Sequence, residues 1–337
     1  MWYAVSKASL RVAVVGLGKM GLVHASLLNA MSGVQLAALC DKNAMLLRFF
    51  RRVFKKTCVV DDVEKLSRLN LDAVYVTTPI PTHFPVAEMI YSKGIARNLF
   101  VEKTLASDYE KAKKLCSLAE RSRGVNMVGY MKRFSVTFLK AKELLDKDVL
   151  GEVTTFKAHA FSSDFAEINK GSRVSASRGG VLEDLGAHVI DLALMLLGDF
   201  DVEEASLHSL GEKGSEDSAT LEVRNSKGVK GSFQISWCMT DYRLPEFGLV
   251  INGSKGVLSA SDDTLELRPT DDKPRRWYKQ DLNDNVSYLL GEPEYFREDS
   301  HFVESVSRGC RTKLDFATAS RVDCVIGQTK QRAEKNA

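Results

Sequence analysis

The sequence predicts an α/β chain of two domains: an amino-terminal doubly wound parallel sheet and a carboxyl-terminal α+β domain built on a large, mostly antiparallel sheet. Three observations predict it. Short apolar runs alternate with helical patterns up to residue 129, the strands after residue 134 instead alternate apolar with polar residues, and the 337 residues, 44% apolar and 27% charged, suffice for two cores.

Arg11 to Val15 is a β-branched run that stops at Gly16, and Met20 to Met31 then carries apolar residues at helical spacing. A second strand, Gln35 to Cys40, ends at Asp41 and is followed by a helix over Ala44 to Phe54 with Arg48, Arg51, Arg52 and Lys55 on a basic face. The spacing then predicts a strand at Cys58 to Val60, a helix from Asp62 to Leu69, a strand at Ala73 to Val76 and a helix from His83 to Ser92 stopped by Gly94. The strand Leu99 to Glu102, the helix Asp108 to Arg123 ended by Gly124, and the strand Asn126 to Gly129 complete the set. Parallel neighbours need right-handed crossovers, so ligand chemistry belongs at the carboxyl ends of these strands.

After a helix over Val136 to Asp146 the period changes to two. Phe156, Ala158 and Ala160 alternate with Thr155, Lys157 and His159, and Phe233, Ile235 and Trp237 with Ser232, Gln234 and Ser236. The boundary falls near residues 130 to 135, which divides the chain into domains over 1–133 and 134–337. The polar face of the second sheet needs a cover, and a self-complementary homodimer or homotetramer is the expected one.

Lys plus Arg number 47 and Asp plus Glu 44, a net charge of +3 without a basic stripe, so nucleic acid is not an expected partner. None of the six cysteines lies within two residues of another, as for free core thiols, and no secretory signal is visible near Met1, so a cytoplasmic protein is expected. Gly21 to Cys40 has the length of a membrane span, but His24, Asn29, Ser32, Gly33 and Gln35 interrupt it.

Gly16-Leu17-Gly18-Lys19-Met20-Gly21 follows a predicted strand and opens a predicted helix, with Asp41 at the end of the next strand, as in a dinucleotide-binding Rossmann unit. Gly16 permits the tight turn, Gly18 lets amides approach a pyrophosphate, and Gly21 allows close packing of helix on strand. Asp41 suits both adenosine ribose hydroxyls and repels a 2′-phosphate, which favours NAD; the adjacent Lys42 leaves NADP open. Thr77, Thr78 and Pro79 end the fourth strand beside the nicotinamide half, and His83, Glu102 and Lys103 complete the cofactor set. Lys103 supplies a cation that can hydrogen-bond a substrate hydroxyl.

From Gly179 to Asp191 the sequence reads GGVLEDLGAHVID. On an α-helix Asp184, His188 and Asp191 share one face, where two carboxylates would favour the protonated form of the imidazole. A buried, satisfied histidine is the bland alternative. No metal is expected, since no second His lies within a few residues of His188.

Together with Thr78-Pro79, Glu102-Lys103-Thr104 and the segment Gly129-Tyr130-Met131-Lys132-Arg133-Phe134, these motifs resemble the Gfo/Idh/MocA oxidoreductases in order over most of the chain. The resemblance implies NAD(P)-dependent oxidation of a ring hydroxyl on a cyclic polyol, sugar or sugar nucleotide. It places Lys103, Asp184 and His188 as catalytic residues, with Arg133 and Asp191 in the same substrate pocket. His188 would take the hydroxyl proton, Lys103 would polarise that oxygen, and Asp191 would bind a neighbouring hydroxyl. Thr104 departs from the family's proline after Glu-Lys, and Ile80 from the Asn common after Thr-Pro. Two other classes stay open: a non-catalytic cofactor or sugar sensor, and an oxidoreductase whose nicotinamide stays bound between two substrates. The segment from Ser162 to Arg178, carrying Asp164, Lys170 and Arg173, is either a surface loop or a substrate-contacting lid. As a lid, it would make Arg173→Ala raise KM selectively for charged substrates.

Overall fold

The computed structural model describes residues 9–164, 179–209, 215–282 and 293–336. It divides into two compact units. One runs to Gly129 and takes in a later stretch that ends at Ser320; the other starts at Tyr130 and resumes at Arg321.

The first unit holds strands β1 (Leu10–Val15), β2 (Val34–Cys40), β3 (Cys58–Val60), β4 (Ala73–Val76), β5 (Asn98–Glu102) and β6 (Asn126–Gly129). They form one parallel sheet in the order β3-β2-β1-β4-β5-β6. β4 and β5 are buried along their whole length, which is why they read as continuous apolar runs. The buried Asn98 that opens β5 is satisfied by the carbonyl of Asp72 at 2.7 Å and the amide of Val125 at 2.7 Å.

Helices α1 (Lys19–Ala30), α2 (Ala44–Val53), α3 (His83–Ser92) and α4 (Tyr109–Ser122) supply the crossovers. Asn43 caps α2 by accepting from the amides of Met45 and Leu46, and Asp108 caps α4 by accepting from Lys111. Two expectations shift. The helix expected over 62–69 is a 3-10 segment, Val63–Arg68, in which Leu66 is the buried residue, too small an apolar face to hold a longer helix. At the end of α4 the left-handed residue is Arg123, at φ +53°, and Gly124 is needed for space: a Cβ there would lie 1.8 Å from the Arg97 carbonyl oxygen.

A later stretch completes this unit, whereas the change of period had assigned everything after residue 133 to the second domain. Helix α7 (Pro293–Arg308; α5, Val136–Asp146, and α6, Ala187–Leu197, belong to the other unit) brings Phe302 edge-on to Tyr75 and Phe100, at 5.4 and 5.7 Å between ring centroids. The Leu314 carbonyl accepts from the amide of Val128 at 3.1 Å, and Asn126 is held through its carbonyl by Thr312 and through its side chain by the amide of Phe316.

The second unit contains α5 (Val136–Asp146), β7 (Val153–Phe161), α6 (Ala187–Leu197), β8 (Phe200–His208), β9 (Ser218–Asn225), β10 (Lys230–Ser236), β11 (Glu246–Gly253), β12 (Gly256–Ser261), β13 (Thr264–Pro269) and β14 (Arg275–Tyr278). The last helix, α8, spans Phe316–Asn336. Eight strands make one sheet in the order β14-β13-β12-β11-β7-β10-β9-β8, antiparallel except where β10 meets β7. Helices α5 and α6 pack on it. Phe156, Phe233, Leu221 and Leu249 are buried, whereas Lys157, Gln234, Thr220 and Glu222 are exposed, the alternation that the period of two required. Among the described residues no helix is long and apolar enough to cross a membrane.

Candidate active site

The ends of β1, β2 and β4 lie level: Val15 pairs with both Cys40 and Val76. The next residue of each strand is therefore Gly16, Asp41 and Thr77, and Lys103 follows the end of β5. Gly16 adopts φ +94°, and a Cβ on it would lie 2.7 Å from the amide nitrogen of Thr78, so only glycine fits. Asp41 bridges the turn, with Oδ2 accepting from the amide of Leu17 at 2.6 Å and Oδ1 from the amide of Asn43 at 2.8 Å. Each oxygen keeps a second lone pair.

These residues fit a dinucleotide. The backbone at Gly18 is open, since a Cβ there would meet nothing within 4 Å, and it leads into the first turn of α1, whose amides have no intrahelical partner. Lys19 and Lys42 are exposed beside this edge, and Met20 is half-buried. Gly21 closes the turn from inside, where a Cβ would lie 1.8 Å from the Gly16 carbonyl oxygen. Gly21→Ala is therefore expected to force α1 off the sheet, costing about 1–3 kcal/mol. NADH affinity should fall with it, as titration of nicotinamide fluorescence beside a urea melt would show.

Three residues expected to touch the cofactor turn inward instead. Thr77 donates its hydroxyl to the Gly16 carbonyl at 2.7 Å and so braces the glycine turn. His83 is buried, with both ring nitrogens 2.7 Å from backbone carbonyls, Nδ1 at Thr104 and Nε2 at Thr78. Burial pushes its pKa down and the two carbonyls work against that shift. Glu102 is also buried: Oε1 meets His24 at 2.9 Å and Oε2 accepts from the amide of Lys103 at 3.0 Å. These side chains hold the loops at the ends of β1, β4 and β5. Thr78 and Lys103 are half-buried at the edge itself, and Pro79 is exposed there.

The residue after Lys103 lacks the proline ring that would fix its φ. It is held in other ways: Thr104 is buried, its carbonyl takes the His83 bond, and its hydroxyl donates to the Ala106 carbonyl at 3.0 Å. The Lys103–Thr104 peptide bond is cis.

The second unit carries the other candidates. Asp184 lies in a π-helical turn, Leu182–Gly186, and His188 and Asp191 in α6, which continues from it. Bonding from i to i+5 makes that turn wider than the α-helical turn the spacing implied. Asp191 departs further from the sequence expectation. It is 1% exposed, and Arg133 grips it with Nε 2.7 Å from Oδ2 and a terminal nitrogen 2.6 Å from Oδ1. Burial pushes the Asp191 pKa up and Arg133 opposes it. Arg133 and Asp191, both expected to bind substrate, bind each other, because a carboxylate so deep needs a fixed cation more than a passing hydroxyl.

His188 is buried between aromatic edges, 6.1 Å from the Tyr130 ring and 5.4 Å from the Phe247 ring. The sequence passed over Lys132, which is also buried: its Nζ lies 2.7 Å from Asp262 and 5.2 Å from the centroid of Phe247, the ring that touches His188. Its place in the Tyr130 to Phe134 segment was the available signal. Of the expected lid, Lys170, Arg173 and Arg178 lie outside the described residues.

Comparison with known proteins finds relatives of both units. Residues 10–130 match an oxidoreductase family, GFO_IDH_MocA, described as an NAD-binding Rossmann fold, and residues 138–259 match the GFO/IDH/MocA C-terminal domain. The chain is 24% identical to inositol 2-dehydrogenase of Rhizobium meliloti over 89% of its own length and 90% of that protein. It is 27% identical to D-glucoside 3-dehydrogenase of Escherichia coli over 72% of each. In fold it is similar to levoglucosan dehydrogenase in complex with NADH, with a TM-score of 0.88, 20% identity and 98% of each chain covered.

Proposed function

Since the chain belongs to the Gfo/Idh/MocA oxidoreductase family and binds NAD through its first unit, we propose that it oxidises a secondary ring hydroxyl of a cyclic polyol, sugar or sugar nucleotide. The observation that carries this reading is the place of Lys103, held at the carboxyl end of β5 in the sheet that presents Gly16, Gly18 and Asp41. When bound, the nicotinamide supplies the acceptor for the hydrogen and electron pair that leave the carbinol carbon.

The chain's own part is proton handling and orientation. Lys103 donates a hydrogen bond to the reacting oxygen and stabilises its developing negative charge. His188 accepts the hydroxyl proton, and Asp184 orients the imidazole and balances the charge it gains. The Arg133–Asp191 pair fixes α6 beneath His188 instead of reaching the substrate. Phe247 and Tyr130 keep water from the imidazole. The names of the relatives support the substrate class, an inositol in one and a glucoside in the other. The exposed polar face of the eight-stranded sheet is the surface through which a homodimer or homotetramer would form.

The test is a panel of inositols, free aldoses and UDP- and GDP-sugars with NAD and with NADP, followed by reduced-nicotinamide absorbance. Turnover with NAD on at least one ring alcohol is expected. Saturable NADH binding with no turnover across the panel would transfer the protein to the sensor class.

A further inference from the structure

Within the first unit a charged strut lies behind Lys103. His24, in the middle of α1, is wholly buried, with Nε2 2.9 Å from Glu102 Oε1 and Nδ1 2.8 Å from Asp299 Oδ1. Glu102 ends β5 and accepts the amide of Lys103 through its other oxygen. Asp299 comes from α7, and its carboxylate is as deeply buried as the imidazole. Three elements far apart in sequence thus converge on one ring.

Two carboxylates at this depth require a cation, and an imidazole can donate from both nitrogens only when it is charged. Tyr75, Phe100 and Tyr295 pack on the ring, and Glu298 is buried next to Asp299 on α7. Burial alone would lower the pKa of His24, but Asp299 and Glu102 together raise it well above the ordinary value, while burial pushes the Tyr75 phenol and the Asp299 carboxyl up.

We propose that His24, as a doubly donating imidazolium, is a positioning residue for Lys103: it locks Glu102, and Glu102 sets the backbone from which the Lys103 side chain springs. The role rests on the reading of Lys103 as the residue that meets the reacting hydroxyl. It requires that loosening the strut disturb Lys103 more than it disturbs cofactor binding, which depends on Gly16 to Gly21 and Asp41.

The experiment compares the full-length protein with His24→Asn, Glu102→Gln and Asp299→Asn. Acetylation of Lys103 by acetic anhydride is followed by mass spectrometry and normalised to the exposed Lys114. A change of more than about fivefold at Lys103 is expected in His24→Asn, with kcat on the best panel substrate falling roughly 10- to 100-fold and KM and NADH Kd moving less than about twofold. Glu102→Gln, which keeps the shape of the side chain, should show the same pattern more weakly. Folded variants with unchanged Lys103 acetylation and only a lower melting temperature would overturn the proposal. A panel without any substrate would sink the proposed function, yet acetylation would still decide the strut. The wild type offers a check that needs no variant: by nitrogen NMR above the ordinary imidazole pKa, His24 should still carry protons on both nitrogens, and a neutral His24 would overturn the role.

Discussion

Replacing His188 with Ala is expected to lower kcat on a panel substrate by about 10²- to 10⁴-fold and to leave NADH binding within about twofold, because removing a general base takes away proton transfer alone. The two effects separate because His188 belongs to the second unit, whereas Gly16, Gly18 and Asp41 belong to the first. The buried ring, edged by Tyr130 and Phe247, has few ways to share its task with water. The loss should appear equally in kcat and kcat/KM if the proton is held only in the transition state. Stability should change by less than turnover, which a urea melt of the same preparation checks. Unchanged turnover on a verified substrate would remove His188 from the reaction and leave it as a core residue.

Arg133→Ala should have the largest effect on stability. Asp191 keeps its charge at 1% exposure because two guanidinium nitrogens face its two oxygens. Removing that cation leaves a buried carboxylate uncompensated, which costs about 3–5 kcal/mol. Arg321 also lowers the Asp191 pKa and offsets part of the loss, which places the expected figure near the lower end. The measurement is the urea midpoint at unchanged m value. Changing both partners, Arg133→Met with Asp191→Leu, should recover most of the stability, since an apolar pair of similar volume leaves no charge behind. A single-variant loss below about 1 kcal/mol would show that Asp191 protonates or finds water instead.

Wherever local chemistry fixes the fold, the sequence shows it. The Gly16 to Gly21 spacing, the apolar runs of β1, β2, β4 and β5, and the change to a period of two after residue 134 all appear in the structure near their predicted places. What was illegible depends on partners far away in the chain. Nothing near His24 announces Asp299, 275 residues on. Nor does Asp191 announce Arg133, 58 residues earlier. The π-helical turn escaped for a related reason: a single wide turn leaves the apolar stripe of Leu182, Leu185 and Val189 intact and shifts only its phase. The inward hydrogen bonds of Thr77, His83 and Glu102 were not legible either, since periodicity locates a residue without saying which way its polar end turns.

The origin of Asp299 also has a consequence for biosynthesis. At about 5–20 residues per second, a ribosome that has finished β6 at Gly129 needs roughly 10–35 s more to deliver residue 299. Through that interval the nascent nucleotide-binding half has its sheet but lacks one of the two anions that hold His24. It can compact, yet it cannot settle, so a chain truncated after residue 133 should bind chaperones and resist purification as an independent module. For this protein the obvious place to cut is the wrong one.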